Sequence, residues 1–223
     1  LYQGGAIGRL TSVELRMVTT QVGFRNPRHW LFQREISGGG VLSWLGCHML
    51  DLLRYVTGEE IVSVAAQLAT TSQEEIDVED TAAVSFRISG GAIGSLHAGY
   101  LLAKGAPGYR GAGYDRAVHL RGTHGTLSFP FDGPLLLETT APVWRRASSR
   151  TYDFTLPSTP GYGGTHGADF VRAFLLATPD APSPAGAEDA LRVLEILDAI
   201  YEADRSGTTV AVIHRPFQEP RHD

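Results

Sequence analysis

The run from Ser37 to Gly58 constrains this chain more than any other stretch: Ser37-Gly38-Gly39-Gly40, then an apolar-patterned segment, then Gly58. Leu42, Leu45, Met49, Leu52, Leu53 and Val56 fall on one stripe at the helical period, which predicts an amphipathic helix with that stripe against a core. Trp44, His48, Asp51 and Tyr55 form a second stripe, about 120° round at 100° per residue. Gly58 stands where a left-handed C-cap is expected. Three successive glycines before the helix permit another backbone or a ligand to approach closely. One face of this helix is made for packing, and its neighbour carries a histidine, a carboxylate and two aromatics.

Around that helix the sequence reads as sheet. Arg9 to Thr19 alternates, with Val13, Leu15 and Met17 on one side and Ser12, Glu14 and Arg16 on the other, the pattern of a half-buried strand. Ile61–Thr70 and Thr81–Ile88 follow, and Ser89-Gly90-Gly91 turns the chain into Ala92–Leu102 as a hairpin. Gly122-Thr123-His124-Gly125 joins Ala117–Arg121 to Thr126–Phe131 as a second hairpin, and Leu135–Thr139 and Tyr152–Leu156 are weaker strands. Two helices are expected near the end. Gly167–Ala177 would follow an N-cap at Thr165 and bury Phe170, Val171, Phe174 and Leu175, and Ala187–Arg205 would end at Gly207. Thr209–Ile213 is a last strand. The expectation is one α+β domain over residues 1–214, a large, mostly antiparallel open sheet with helices on one face, followed by a polar tail over 215–223.

Composition excludes several classes. A hydrophobic fraction of 43% in 223 residues supports a full core, and a net charge of −5 without a basic patch argues against nucleic acid. No run of about 18 apolar residues recommends a membrane span. Cys47 is the single cysteine, which rules out an internal disulfide or a thiolate-rich zinc site. No signal-peptide pattern opens the chain, so a cytoplasmic location is expected. Leu1 to Gly8 reads as the end of a helix entering a strand, which points to a segment before residue 1.

His48 is the first candidate for chemistry. A neutral imidazole near a helix start can take a proton from a hydroxyl or polarise a carbonyl, and Asp51, three residues on, can orient it. Two loops add polar and aromatic groups: Arg25, Arg28, His29 and Trp30 in Gln21–Gln33, and Tyr109, Arg110 and Tyr114 in Lys104–Asp115. His166 precedes a predicted helix. Each of these is read either as a pocket residue or as a solvated loop residue, Trp30 as a packing residue, and His97 as a residue of a sheet face open to assembly. His29, His48, His166 and Asp51 lack metal-ligand spacing, and no Gly-x-Ser-x-Gly elbow occurs.

The run Gly38-Gly39-Gly40-Val41-Leu42-Ser43-Trp44-Leu45-Gly46-Cys47-His48-Met49-Leu50-Asp51 resembles the core motif of the C-terminal domain of Gfo/Idh/MocA oxidoreductases. The opening Gly5-Ala6-Ile7-Gly8-Arg9, Glu79-Asp80-Thr81-Ala82 before a strand, the Gly122–Gly125 turn and the closing helix with Gly207 agree in order, over residues 1 to about 214. The resemblance implies a fold like the C-terminal domain of glyceraldehyde-3-phosphate dehydrogenase. It also implies NAD or NADP on a separate N-terminal Rossmann domain, a sugar, cyclitol or related hydroxyl or carbonyl substrate, and a dimer or tetramer through the free sheet face. This chain contains no strand–Gly-x-Gly-x-x-Gly–helix unit and is expected to be inactive alone.

By the same resemblance His48 transfers a proton at the substrate oxygen. Arg25, Arg28, His29, Tyr109, Arg110, Tyr114 and His166 line the substrate by position, Trp44 either stacks on a sugar ring or packs, and Gly39, Gly40 and Asp51 shape the site, Asp51 mainly as a structural residue and the glycines by bringing the helix start close to a nicotinamide. The family usually has an aspartate four residues before its histidine, where this chain has Trp44. A noncatalytic binding or assembly domain is therefore the competing expectation, and a metal-dependent hydrolase a weaker third.

Overall fold

A computed structural model describes residues 1–103, 113–154, 164–178, 181, 183 and 185–216. Nine strands form one sheet: β1 (Leu10–Thr20), β2 (Ile61–Ala69), β3 (Thr81–Ile88), β4 (Ile93–Leu102), β5 (Tyr114–Gly122), β6 (Gly125–Phe129), β7 (Leu135–Thr139), β8 (Ser149–Tyr152) and β9 (Val210–Ala211). Their order is β8-β7-β6-β5-β1-β4-β3-β2-β9. β1 is central. It pairs parallel with β4 and antiparallel with β5, and the other strand pairs are antiparallel. Both hairpins form where the glycine turns predict them, β3–β4 and β5–β6.

The two-residue period of β1 decides which face is buried. Val13, Leu15 and Met17 enter the core, with Leu120 and Val118 of β5 and Leu96 and Ala98 of β4 beside them in register. The opposite face carries Ser12, Glu14 and Arg16, flanked by His119 and Arg121 on one side and Ser95 and His97 on the other. Ion pairs cross it, Arg16–Asp115 at 2.8 Å and Arg121–Glu14 at 3.2 Å. Exposed pairs of this kind contribute about 0–1 kcal/mol each.

The core face is covered by the central helix and by α4 (Ala187–Ser206), which lies on β2. The central helix opens with a π-helical turn, Leu42–Gly46, and continues as α2, Cys47–Thr57, capped by Gly58 at φ 69°. A single turn, α1 (Arg34–Ser37), precedes it and ends on Gly38 at φ 76°. Leu42, Leu45, Met49 and Leu53 are buried as the apolar stripe predicts, and Leu50 joins them.

Five expectations require correction. Of the strand placed at Tyr152–Leu156, Thr155 and Leu156 lie outside the described residues and the described strand is Ser149–Tyr152, while β5 begins at Tyr114, so the second loop gives its last residues to the sheet. The last strand shortens to two residues, Val210–Ala211. Helix α3 spans Gly164–Leu175, which moves His166 from a loop into its first turn. Phe170, Val171, Phe174 and Leu175 of α3 are exposed rather than buried, at 46–73% of full accessibility. An apolar stripe identifies a face that wants covering. It does not identify what covers it.

The C-terminal segment is held by one carboxylate. Glu195 of α4 accepts from the Arg215 backbone N–H at 2.8 Å and from Arg192 at 3.0 Å, and His214 Nδ1 lies 3.0 Å away. Burial pushes its carboxyl up, but those donors outweigh burial and hold it at about 2. Because its folded pKa is depressed, its stabilisation is complete above the unfolded carboxylate range and is lost as pH falls through about 2. Thermal melts should therefore show Glu195→Gln less stable than wild type at pH 6, with the gap closing as pH falls from about 4.5 towards 2. A gap independent of pH would remove this linkage.

Candidate functional site

The helix start is built on one buried carboxylate. The N–H groups of Gly40 and Leu42 donate to Glu79 Oε1 at 2.8 and 3.2 Å, and the Val41 N–H donates to the Glu79 carbonyl at 3.0 Å. These are donors that a helix start leaves without intrahelical partners, and an anion there also meets the positive end of the helix dipole. Tyr201 of α4 donates its hydroxyl to the same Oε1 at 2.9 Å, and Ser43 Oγ lies 2.9 Å from the Tyr201 oxygen. Burial, followed by the Glu79 charge, pushes the Tyr201 phenol upward.

This arrangement explains why glycine stands at both positions. A Cβ on Gly40 would overlap the Glu79 carbonyl, and one on Gly39 would overlap the Tyr201 hydroxyl and Ser43 Oγ. Gly39 and Gly40 thus admit the chain's own Tyr201 and Glu79. A cleft of about 480 Å³ with Arg34, Glu79, Tyr201 and Asp204 among its walls opens beside this network, and Trp44 and His48 are not among its lining residues.

The second stripe of the helix faces outward. Trp44 is 40% exposed, His48 is exposed one turn further on, and Tyr55 is exposed two turns beyond that. The π turn lies just before His48, with the Cys47 N–H reaching back to Leu42 O. Such turns cluster at functional positions in helices. The first loop comes to meet this stripe: Trp30 packs edge-on to Trp44 at 5.8 Å and 87°, and His29 lies 5.5 Å from Trp30. His29 Nδ1 also accepts the Leu31 N–H at 3.4 Å, capping the short turn Trp30–Phe32. Trp30 is accordingly part of the candidate surface, although its sequence reading is a packing residue.

Arg25 and Tyr114 meet elsewhere, at the end of β1. Arg25 Nη2 donates to Thr19 Oγ1 at 3.0 Å and its guanidinium lies 5.0 Å from the buried Tyr100 ring. Tyr114 pairs with Thr19 in register, and Arg116 lies 4.9 Å over its ring. The loop joins the two groups, because Phe32 packs edge-on to Tyr100 at 5.6 Å. Arg28 is exposed on the loop, and its backbone N–H donates to Asn26. His166 is exposed on α3, with no geometry on these residues. Tyr109 and Arg110 lie outside the described residues.

Asp51 belongs to an ion-pair cluster that reaches α4. It lies 3.7 Å from Arg54, which forks onto Glu60 with two 2.8 Å bonds and reaches Asp189 at the start of α4 at 3.5 Å. Partial burial raises the Asp51 carboxyl and Arg54 opposes that rise. Burial likewise pushes the Cys47 thiol up to about 11, so the thiolate is scarce at neutral pH. Alkylation by iodoacetamide at pH 7.5 should run at least tenfold slower on the native chain than in denaturant, because a two-unit rise lowers the thiolate fraction about a hundredfold and the greater nucleophilicity of the more basic thiolate returns about tenfold. Equal rates would contradict that environment. Among the described residues no group of three or more His, Cys, Asp or Glu is arranged to hold a metal ion, and no helix is long and apolar enough to cross a membrane.

Similarity to known proteins agrees with this fold. The profile of the GFO/IDH/MocA C-terminal domain matches residues 1–128. Levoglucosan dehydrogenase of Pseudarthrobacter phenanthrenivorans is 27% identical over 240 residues, covering 89% of this chain and 58% of that protein. A solved levoglucosan dehydrogenase in complex with NADH and levoglucosan matches with a TM-score of 0.77 at 26% identity, over 96% of this chain and 62% of that one. Aldose-aldose oxidoreductase from Caulobacter crescentus, complexed with glycerol, shares the fold at a TM-score of 0.71 and 23% identity, over 95% of this chain and 58% of that one. The chain therefore spans about three fifths of the length of these relatives. With its central parallel pair, its glycine-opened helix and a profile match over more than half its length, the chain belongs to the GFO/IDH/MocA C-terminal domain family.

Proposed function

We propose that this chain is the substrate-side domain of an NAD- or NADP-dependent oxidoreductase acting on a sugar, cyclitol or related hydroxyl or carbonyl compound. The observation that carries the reading is the exposed His48 one turn beyond the Trp30–Trp44 pair, on a helix whose start is fixed from within. An exposed indole face is a fitting platform for the apolar face of a sugar ring. Arg25, Arg28, His29 and Tyr114 offer hydrogen bonds to its hydroxyls, and Tyr109, Arg110 and His166 belong to the same proposal. His48 takes the proton from the reacting hydroxyl on oxidation and returns it on reduction.

The residues present do not fit the dinucleotide itself. The N–H groups at the start of the central helix are already given to Glu79, and α4 opens with Glu188 and Asp189, Asp189 accepting from the Gly186 N–H at 3.0 Å. Neither start is open to a pyrophosphate. Hydride acceptance is the chemistry a nicotinamide supplies when another part of the protein binds it. Levoglucosan dehydrogenase, of which this chain matches 58%, has length enough for such a part. The polar face of the sheet, with Arg16, His97 and His119, is the surface proposed for pairing with a second copy.

The test is nicotinamide reduction by the full-length protein that carries these residues, over a panel of sugars, anhydrosugars and polyols. Turnover supports the reading. Ligand binding by calorimetry without turnover with either nicotinamide would favour instead a binding domain in which Trp44, standing where the family has aspartate, serves recognition alone.

A further inference from the structure

We infer that Glu79 is the positioning residue of this site, locking the loop that carries His29 and Trp30 to the helix that carries Trp44 and His48. The inference rests on the functional reading above for its kinetic consequence, but not for its geometry. Glu79 is 3% exposed, and its two oxygens look in different directions. Oε1 collects the Gly40 and Leu42 N–H groups and the Tyr201 hydroxyl, so it fixes where the helix begins. Oε2 makes no hydrogen bond and lies 3.7 Å from Arg34 Nη2.

Arg34 opens α1, directly after the Trp30–Phe32 turn. Its backbone N–H donates to Asp77 Oδ1 at 2.6 Å, its Nε donates to the Asp77 carbonyl at 3.0 Å, and its guanidinium lies 6.0 Å from the Tyr201 ring. One carboxylate thus touches the helix through its backbone donors, the loop through Arg34 and α4 through Tyr201. The Trp30–Trp44 contact lies between the two segments so joined. A buried carboxylate is costly unless its partners are fixed, and here the fixed partners are the segments that carry the site.

Glu79→Gln keeps the shape and one acceptor but removes the charge that Arg34 and the helix start share. Two variants support it, Tyr201→Phe and the half-exposed Arg34→Gln, the latter chosen because it folds whether or not Glu79→Gln does. The first measurement is the indole N–H resonances. Those of Trp30 and Trp44 should move in Glu79→Gln, and that of Trp30 in Arg34→Gln, while Trp144, on the β7–β8 connection, stays fixed. The second is kinetics of the full-length protein: kcat should fall about tenfold in Glu79→Gln with the KM for nicotinamide unchanged, as misplacement of a reacting group predicts. Unmoved Trp30 and Trp44 resonances in both variants, or an unaltered kcat in an active Glu79→Gln enzyme, would overturn the inference. If the wild type transfers hydride to no nicotinamide, the functional reading fails by itself and the resonances still decide the role of Glu79.

Discussion

His48→Ala should lower kcat/KM by about 10²–10⁴-fold in the full-length protein that carries this chain, the contribution typical of a general acid–base group. The loss should appear mainly in kcat, because a side chain whose task is to hold the reacting proton acts on the transition state more than on bound substrate. Folding provides the control. His48 is exposed, and none of the hydrogen bonds that fix the helix start involve its side chain. The melting temperature of His48→Ala should stay within about 2 °C of wild type, as expected for an exposed position. Trp44→Ala should instead raise the KM for substrate, since it removes a surface rather than a base. Full turnover in His48→Ala would take the histidine out of the mechanism and leave the helix as a binding element.

The sequence makes the sheet legible where its signal is local. Thr81–Ile88, the Ser89-Gly90-Gly91 turn and the strand to Leu102 are read correctly because alternation and turn chemistry sit within a few residues of one another. The central helix is legible for the same reason, down to its cap at Gly58. What escapes is what depends on distant partners. The glycines at 39 and 40 announce a close approach, but nothing near them says that Glu79 and Tyr201 are what approach, from 39 and 162 residues away as counted from Gly40 and Gly39. The stripe of α3 is read as buried although its residues stay exposed, because amphipathicity describes a helix and not its neighbour. Trp30 is underrated because its partner, Trp44, lies across a loop whose path no periodicity encodes. The family motif places His48 within an ordered set, yet which loop residues meet it is a property of the packing.

The glycine pair offers the sharpest test of that packing. Gly40→Ala should destabilise the chain by about 3 kcal/mol, at the upper end for overpacking, because the added Cβ meets the Glu79 main-chain carbonyl, which cannot swing aside without moving the start of β3. Gly39→Ala should cost less, about 1–2 kcal/mol, because what it meets are the ends of two side chains, the Tyr201 hydroxyl and Ser43 Oγ. The two therefore differ in whether a second change relieves them. In a Tyr201→Phe background the Gly39→Ala penalty should shrink, since the hydroxyl in its way is gone, whereas the Gly40→Ala penalty should persist. Denaturant midpoints of the wild type, the three single variants and the two doubles measure this as a coupling energy, expected near 1 kcal/mol for the first pair and near zero for the second. A Gly40→Ala chain within about 0.5 kcal/mol of wild type, the scatter of an ordinary surface change, would mean that the helix start is not held against Glu79. The same result would remove the foundation on which His48 and Trp44 are placed, since both follow Gly40 within the helix that this contact begins.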